Sequence, residues 1–408
     1  MRAGWQELRL ADVCEFRPSK DEVRARIDGT DRVSFAPMED LGIGRKFLEP
    51  QSTRSLSEVA GSYTYFADGD VLLAKITPCF ENGKLGIARN LTNGAGFGSS
   101  EYIVFRPDER LLNEYLYYFL SRDDFRTEGA ERMSGAVGHK RVSKDFIEQY
   151  RIPLPPLPEQ HRIVAILDQA FESIATAKAN TERSLRMAWE VFESHREATL
   201  GTVHSGWEER PLAELCDIKH GFAFEGEYFA PEGEYVLLTP GNFFESGGYR
   251  DRGAKQKYYI GTIPTDYVLR ERDLLVAMTE QAAGLLGSPI LVPEADRFLH
   301  NQRLGLVQPK PNAAWSNEFF FHVFNRKPVR DAIHASASGV KVRHTSPTKI
   351  GAVSVAYPTG LAEQRRIAGT LEEVANESVR LASLSRQKLA ALDELKSSLL
   401  HHAFHGDL

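Results

Sequence analysis

The sequence predicts an α+β protein in which two pseudo-symmetric mixed α/β domains are joined by two long helices that pack as an antiparallel coiled coil. Three observations predict this fold: an internal repeat, short apolar runs bounded by turn residues, and two long apolar stripes with helical spacing. The length allows it, because 408 residues that are 42% hydrophobic can form at least two cores.

The internal repeat relates the two halves of the chain. Residues 4–14 and 206–216 share Gly, Trp, Glu, Leu, Ala and Cys at matching places, an offset of 202 residues. Residues 159–163 and 363–367 match at an offset of 204. The matches between them keep the same order: Asp70 with Asp273, Asn113 with Asn317, Glu114 with Glu318, and Ser143 with Ser346. Because the offset drifts by only two residues, the chain holds two copies of one large unit and not a solenoid of short repeats.

Each unit divides into a globular part and a helical part. The apolar runs at residues 71–74 and 102–105 are typical of strands, whereas residues 111–126 predict a helix. The predicted boundaries are a first globular domain at 1–150, a Pro-rich linker with the central long helix at 151–205, a second globular domain at 206–355, and a C-terminal long helix at 356–408.

The long helices are predicted from their starts and from their apolar stripes. Pro-rich residues 154–158 favour an extended approach, and Glu159 suits a helix N-terminus. No Pro or Gly then follows before Gly201. The first stripe is Ile163, Leu167, Ala170, Ile174, Ala177, Thr181, Leu185, Ala188 and Phe192. The second stripe is Ile367, Leu371, Val374, Ser378, Leu381, Leu384, Leu392, Leu395 and Leu399.

Such stripes indicate helices packed against partner helices. Antiparallel pairing is favoured because each long helix needs an equally long partner, and the only one on the chain is its own repeat. Pairing within the chain is favoured because two copies on one chain have a high effective concentration. The alternatives are that each helix folds back on its own domain, or that the helices pair between two chains of a homodimer.

Composition and motifs argue against several functions. A net charge of −6 argues against coating nucleic acid or an anionic membrane by bulk charge. Cys14, Cys79 and Cys216 are too far apart for a metal or redox motif and are expected to be core thiols. The sequence contains no phosphate-binding loop, zinc-protease motif or nucleophile elbow, which indicates a binding protein.

Positive charge concentrates at equivalent places in the two copies. Residues 132–144 contain four Lys or Arg and no acid, and residues 326–349 contain six Lys or Arg and one Asp. Each segment has a loop of mainly small residues, at 134–138 and 336–339, just before a pair of cations. Such loops suit contacts to phosphates or guanine edges, although a solvated run of charge gives the same pattern.

On these features the chain resembles the specificity subunits of type I restriction-modification systems. Two diverged domains, each followed by a long helix that opens with Glu-Gln-x-Arg-Ile, form that family's plan and cover the whole chain. Shorter strings also agree: ITPCFENGK at 76–84, GAVGHKRVSKDF at 135–146, HGFAF at 220–224, MTEQ at 278–281 and AFHGDL at 403–408.

The resemblance implies a non-catalytic DNA-recognition subunit in the cytoplasm of a bacterium or archaeon. Each target recognition domain would recognise one half of a bipartite double-stranded DNA sequence, and the helix pair would set the spacer and dock two modification (methyltransferase) subunits. ATP-dependent restriction subunits would complete the complex. No cofactor is expected on this chain, since S-adenosylmethionine, ATP and Mg would belong to the partner subunits. The alternative is a coiled-coil protein-interaction adaptor without DNA specificity.

Candidate DNA contacts follow from the resemblance and from side-chain chemistry. Lys and Arg suit guanine or phosphate, Asn82 and Gln281 suit adenine, and Glu280 suits the cytosine amino group. Phe80 suits a thymine methyl or braces its loop, and Asn82 is also typical of a turn. The first domain contributes Lys75, Thr77, Phe80, Asn82, Lys84, His139, Lys140 and Arg141. The second contributes Thr279, Glu280, Gln281, Lys341, Arg343 and His344.

Overall fold

A computed structural model of the protein describes residues 4–136, 138–281 and 283–408. The chain forms two compact units, Met1–Glu182 with Arg386–Leu408, and Arg183–Ser385. Each of the two long helices contributes one part to each unit. The boundaries of the globular domains at residues 150, 205 and 355 stay predictions.

The globular part of the first unit leads into the first long helix. Its α-helices are α1 (Asp21–Arg24), α2 (Leu56–Val59), α3 (Asn113–Leu120), α4 (Asp123–Glu131), α5 (Lys144–Gln149) and α6 (Leu157–Gly201). Its strands are β1 (Gln6–Arg9), β2 (Cys14–Phe16), β3 (Arg32–Ala36), β4 (Ser52–Ser55), β5 (Thr64–Ala67), β6 (Val71–Ala74), β7 (Leu85–Ile87), β8 (Ala95–Gly98), β9 (Tyr102–Pro107) and β10 (Arg151–Leu154).

The second unit has the same plan and leads into the second long helix. Its α-helices are α7 (Leu212–Leu215), α8 (Asn317–Phe324), α9 (Lys327–Ser336), α10 (Pro347–Gly351) and α11 (Leu361–His405). Its strands are β11 (Trp207–Pro211), β12 (Cys216–His220), β13 (Phe229–Ala230), β14 (Tyr235–Leu237), β15 (Tyr258–Tyr259), β16 (Leu274–Ala277), β17 (Thr279–Glu280), β18 (Pro289–Leu291), β19 (Phe298–Leu299), β20 (Leu304–Pro309), β21 (Arg343–His344) and β22 (Ser354–Pro358).

The sheets confirm the internal repeat. The order β2-β9-β6-β7 in the first unit corresponds to β12-β20-β16-β18 in the second. The registers agree as well, because Cys14 lies opposite Pro107 and Cys216 lies opposite Pro309. A separate four-stranded sheet, β4-β3-β8-β5 or β13-β15-β14-β19, completes each globular part. The antiparallel pairs β1-β10 and β11-β22 place the start of each globular part beside the strand that precedes its long helix.

The glutamine of the repeated Glu-Gln-x-Arg-Ile motif fastens each long helix to its own globular part. Gln160 is fully buried; its Oε1 accepts the amide of Leu112 at 2.9 Å, and its Nε2 donates to two carbonyls, of Arg110 and Pro155. Gln364 repeats this arrangement with the amide of Ser316 and the carbonyls of Ala314 and Pro358. The sequence repeat therefore reflects the same helix attachment made twice.

The long helices pack antiparallel within each unit, as predicted. In the first unit Arg162, near the start of α6, donates to the carbonyl of Leu408, and Lys178 pairs with Asp393 of α11. In the second unit Leu200, near the end of α6, shares a core with Leu371 of α11. The nine predicted stripe residues of α6 are all buried or half-buried.

Two details of the helix prediction are wrong. Residues 111–126 form parts of α3 and α4, separated at Ser121–Arg122, and not one helix. In α11 the predicted Leu381, Leu384 and Leu395 are exposed. The buried and half-buried face keeps Ser378 and Leu392 of the predicted stripe and also includes Ala382, Ser385, Leu389 and Lys396. Spacings of three and four decide which face of a helix is buried, and Ala or Ser on that face lets helices approach closely.

The cysteines lie where the sequence suggests. Cys14 and Cys216 are buried thiols, and burial raises the pKa of Cys216 to about 12. Cys79 is half-buried, and all three are free. Within the described ranges, no cluster of three His, Cys, Asp or Glu side chains is arranged to hold a metal ion. No helix among the described residues is long and apolar enough to cross a membrane.

Two buried histidines predict that the second unit is sensitive to acid. Burial lowers the pKa of His300 and of His322 to about 4, from 6.5. Each of these histidines has a lower pKa in the folded state than in the unfolded state. The second unit therefore has its full stability above about pH 6.5, and its free energy of unfolding falls as the pH drops toward 4, by on the order of 3 kcal/mol for each histidine. The described histidines of the first unit are all exposed.

The measurement is thermal unfolding of the chain as a function of pH. His322→Leu should flatten the acid-side loss for the second unit, whereas His161→Leu, at an exposed histidine of α6, should not change it. An unchanged pH dependence in His322→Leu would contradict the assignment.

Candidate nucleic-acid interface

In the first unit, two predicted segments that are distant in sequence lie side by side. The loop that follows β6 contacts residues 134–141: the amide of Thr77 donates to the carbonyl of Lys140 at 2.9 Å, and Ile76 bridges to Arg141. Ser134 and Arg141 exchange two backbone hydrogen bonds and close a hairpin. Val137, within the predicted small-residue loop, lies outside the described residues.

Three of the predicted side chains in this unit are free to meet a ligand. Asn82, His139 and Lys140 are exposed, and none of the three side chains makes a hydrogen bond in the part of the chain that the structure describes. His139 and Lys140 lie on the hairpin that meets the loop after β6 and present an imidazole and an ammonium group to solvent. Asn82 lies farther along that loop and lines a separate cleft with Tyr117 and Asp168.

The remaining polar candidates of the first unit are engaged with the protein. Lys75 donates to the carbonyl of Ser100 at 2.9 Å, and burial lowers its pKa. Lys84 donates to a backbone carbonyl, that of Met38, at 2.6 Å. Arg141 forms a bidentate pair with Glu101 at 2.7 and 2.9 Å. These cations shape the loops, and each would exchange an existing partner for DNA.

Two further candidates in the first unit are held locally. The hydroxyl of Thr77 donates to Glu81 at 2.8 Å. Phe80 is 0% exposed and packs edge-on against Phe125, with 5.9 Å between the ring centroids. The predicted contact of Phe80 with a thymine methyl is therefore wrong, because a fully buried ring has no exposed surface for a base. Its alternative role, bracing the loop, fits the structure.

The second unit assembles the same edge from different residues. Strand β17 pairs antiparallel with β21, which places Thr279 opposite His344 and Glu280 opposite Arg343. Ser338 and His344 exchange two backbone hydrogen bonds, as Ser134 and Arg141 do in the first unit. In both units, the segment that follows β6 or β16 thus contacts a hairpin that comes later in the same globular part.

Exposure again separates the candidates. Gln281, Lys341 and His344 are exposed and, among the described contacts, their side chains have no hydrogen-bond partner. Thr279 is half-buried. Arg343 is directed inward, with hydrogen bonds to the ring nitrogen of His334 at 3.1 Å and to its carbonyl at 2.6 Å.

Glu280 requires a correction. Its side chain is buried, and Oε2 accepts the amides of Gly284, Leu285 and Leu286 at 2.9 to 3.1 Å. Its other oxygen lies 3.6 Å from Arg343. A carboxylate that already accepts three amides inside the protein holds a loop in place, and it is not available to a cytosine amino group.

A cleft of about 1050 Å³ adjoins this edge of the second unit, and Thr279 and Gln281 line it. Sequence reasoning missed most of its polar lining, which is Arg250, Arg252, Lys257, Gln302 and Arg303. The signal was present as four cations within residues 250–257. Asp251 interrupts the pattern, and Arg303 lies far from it along the chain, so that no single basic run stands out.

Comparison with known proteins decides the family. The model of the type I restriction modification DNA specificity domain matches residues 2–184 and again residues 204–390. The chain belongs to this family. The two matches also confirm that each half of the chain is one copy of the specificity domain with a part of a long helix.

Relatives within the specificity family include two from Escherichia coli. The type I restriction enzyme EcoEI specificity subunit is 34% identical over 212 residues, which cover 52% of this chain and 34% of that subunit. The EcoAI specificity subunit is 32% identical over 212 residues, covering 52% of this chain and 35% of the relative. The match thus spans about a third of the length of these two relatives.

Solved structures share the fold of this specificity-family chain over its full length. The HsdS subunit from Thermoanaerobacter tengcongensis has a TM-score of 0.67 at 18% identity and covers 100% of this chain and 98% of its own. A chain from work on assembly and conformational transition of the type I R-M system has a TM-score of 0.78 at 19% identity, with coverages of 100% and 99%.

Proposed function

We propose that the chain is the DNA-recognition subunit of a type I restriction-modification complex, and that each globular domain recognises one half of a bipartite duplex sequence. The observation that carries this proposal is the repeated edge. Each copy of the family's domain joins a loop to a hairpin, and the two segments carry three exposed polar side chains that make no hydrogen bond with the described residues.

The exposed side chains differ between the copies, which supports two different half-sites. The first domain offers Asn82, His139 and Lys140, and the second offers Gln281, Lys341 and His344. An amide is suited to a bidentate contact with adenine, and cations and imidazoles suit guanine or phosphate. Each domain would thus recognise a base set of its own.

The long helices are proposed to set the spacer and to dock two modification subunits, with restriction subunits completing the complex. Chemistry then resides in those partners, which would bind S-adenosylmethionine, ATP and Mg, in the cytoplasm of a bacterium or archaeon. A net charge of −6 is compatible with this division, since partners contribute phosphate contacts. The subunit itself is proposed to be non-catalytic.

The test is the methylome of cells with and without this gene, in a strain with intact partner subunits. One bipartite motif with a fixed gap is expected to disappear on deletion and to return when the gene is restored. Exchanging residues 1–150 for another recognition domain should then alter one half-site and leave the other and the gap intact. Survival of every methylated motif after deletion would sink the proposal and favour the adaptor function.

A further inference from the structure

We propose that the cleft of the second domain holds the DNA backbone beside one half-site and supplies most of the salt-dependent affinity of the chain. This inference rests on the proposed function and assigns the anchoring role to one of two otherwise similar domains. The residues that carry it are the cleft cations, defined as Arg250, Arg252, Lys257 and Arg303.

The side chains of the cleft cations lack ion-pair and hydrogen-bond partners among the residues that the structure describes. Elsewhere in the same unit exposed arginines do pair, for example Arg210 with Glu208 at 2.8 Å and Arg297 with Glu294 at 2.9 Å. Neighbouring cations without counter-charges repel one another, so a bound polyanion would relieve an unfavourable interaction.

The carboxylates that line the cleft do not neutralise it. Glu245 and Glu280 are the acidic residues among the described lining residues, against four cations. Glu280 is committed to three backbone amides and lies close to His334 and Arg343. The cleft surface is therefore positive, although the chain as a whole is negative.

The size and position of the cleft favour DNA over a small anion. A volume of about 1050 Å³ is far larger than one small anion needs, since a water molecule in the liquid takes up about 30 Å³. Gln281, which is proposed to face a base edge, lines the same cleft. Phosphate contacts fix the position of a duplex and base contacts select its sequence, so both functions belong side by side.

Aromatic side chains at the cleft support its cations. Lys257 lies 5.4 Å from the ring centre of Phe229, and Arg250 lies 5.8 Å from that of Phe244. Both rings are exposed and line the cleft. Contact with a ring face orients a long cationic side chain without neutralising its charge.

The first domain has fewer free cations at its proposed edge among the described residues. Lys75, Lys84 and Arg141 are bonded to carbonyls or to Glu101, whereas Arg17, which lies beside Lys75, and Lys140 are exposed and make no described hydrogen bond or ion pair. The second domain is therefore expected to engage DNA at longer range, whereas the first contributes mainly through close contacts. Because backbone contacts do not depend on base sequence, the second domain should keep this contribution on duplexes in which either half-site is scrambled.

The test measures the dissociation constant of the complex with its modification subunits as a function of KCl. The probes are the bipartite duplex, two duplexes with one half-site scrambled, and a random duplex. Each of Arg250→Ala, Arg252→Ala and Arg303→Ala should reduce the slope of log K against log salt by about one, and the triple variant should lose tenfold or more in affinity at ~0.1 M salt on every probe. Lys255→Ala is the matched control, because Lys255 is an exposed cation of the same segment that does not line the cleft.

The outcomes separate this inference from the proposed function. Arg252→Lys should restore the slope, because phosphate binding requires charge more than shape, and melting of each variant verifies that it is folded. Specific binding by the wild type with an unchanged slope in the triple variant would overturn the anchoring role and leave the proposed function intact. A fall of the slope in Arg17→Ala/Lys140→Ala of the first domain as large as that in the triple variant would overturn the asymmetry. Absence of sequence-specific binding by the wild type would overturn the proposed function.

Discussion

Gln160→Leu and Gln364→Leu are each expected to lower the free energy of unfolding of their own unit by about 2–4 kcal/mol. Each glutamine is 0% exposed and makes three hydrogen bonds of 2.7 to 2.9 Å to backbone groups. Leucine has a similar volume but leaves one amide and two carbonyls without that partner, and a buried unsatisfied group retains its full desolvation cost.

Denaturant unfolding of the single variants and of the double variant measures this effect. Gln169→Leu is the control, since Gln169 is an exposed glutamine on the same helix as Gln160, and it should change stability by less than about 0.5 kcal/mol. Because the two glutamines lie in different units, their effects should add. Stability within 0.5 kcal/mol of the wild type in both single variants would refute a structural role.

The repeat made much of the fold predictable. Matching residues do the same local work in both units: Ser143 and Ser346 cap helices, and Asn113 and Asn317 each donate to a backbone carbonyl of their own unit. Residues that are identical in the two copies bond the same backbone groups in both units. Such bonds require a specific side chain at a specific position, so the shared residues indicate a shared local structure. Topology, register and helix attachment follow from it.

Whether a given side chain is buried or exposed was harder to predict from the sequence. Phe80 and Glu280 have the right chemistry for a base edge, but both are buried. In α11 the leucines at 381, 384 and 395 suggested a seam, although that seam contains smaller residues such as Ala382. Residue type sets what a side chain can contact, whereas its exposure depends on neighbouring segments that are remote in sequence. The cleft cations were missed for the same reason.

Arg330→Met is expected to weaken recognition of one half-site by roughly a hundredfold, about 3 kcal/mol, while leaving recognition of the other unchanged. Arg330, on α9, donates to the carbonyls of Leu286 at 2.9 Å and of Glu245 at 3.1 Å, and also to that of Gly284. Burial lowers its pKa to about 10, so it stays charged at neutral pH. Leu285 and Glu245 line the cleft of the second domain, which makes Arg330 a positioning residue for two of its loops.

The effect should be large because both the amides and the carbonyls of one loop, residues 284–286, are bonded by charged side chains. Glu280 accepts the amides of Gly284, Leu285 and Leu286, while Arg330 donates to the carbonyls of two of these residues. Methionine keeps the apolar stem and removes every donor, so the loop loses the contacts that hold its carbonyls. Loops that present Gln281 would then sample several positions, and selectivity would fall more than stability.

Methylation rates on duplexes with single-base changes in either half-site provide the readout, together with melting of the purified chain. Arg126→Met is the matched control. Arg126 has the equivalent place on α4, at an offset of 204, but among the described contacts its side chain bonds Ser121 and Asp123 and no loop of the second domain. That variant should leave the second domain's half-site unaffected. If Arg330→Met lowers the melting temperature yet keeps base preference at both half-sites, Arg330 is structural and does not position the recognition loops.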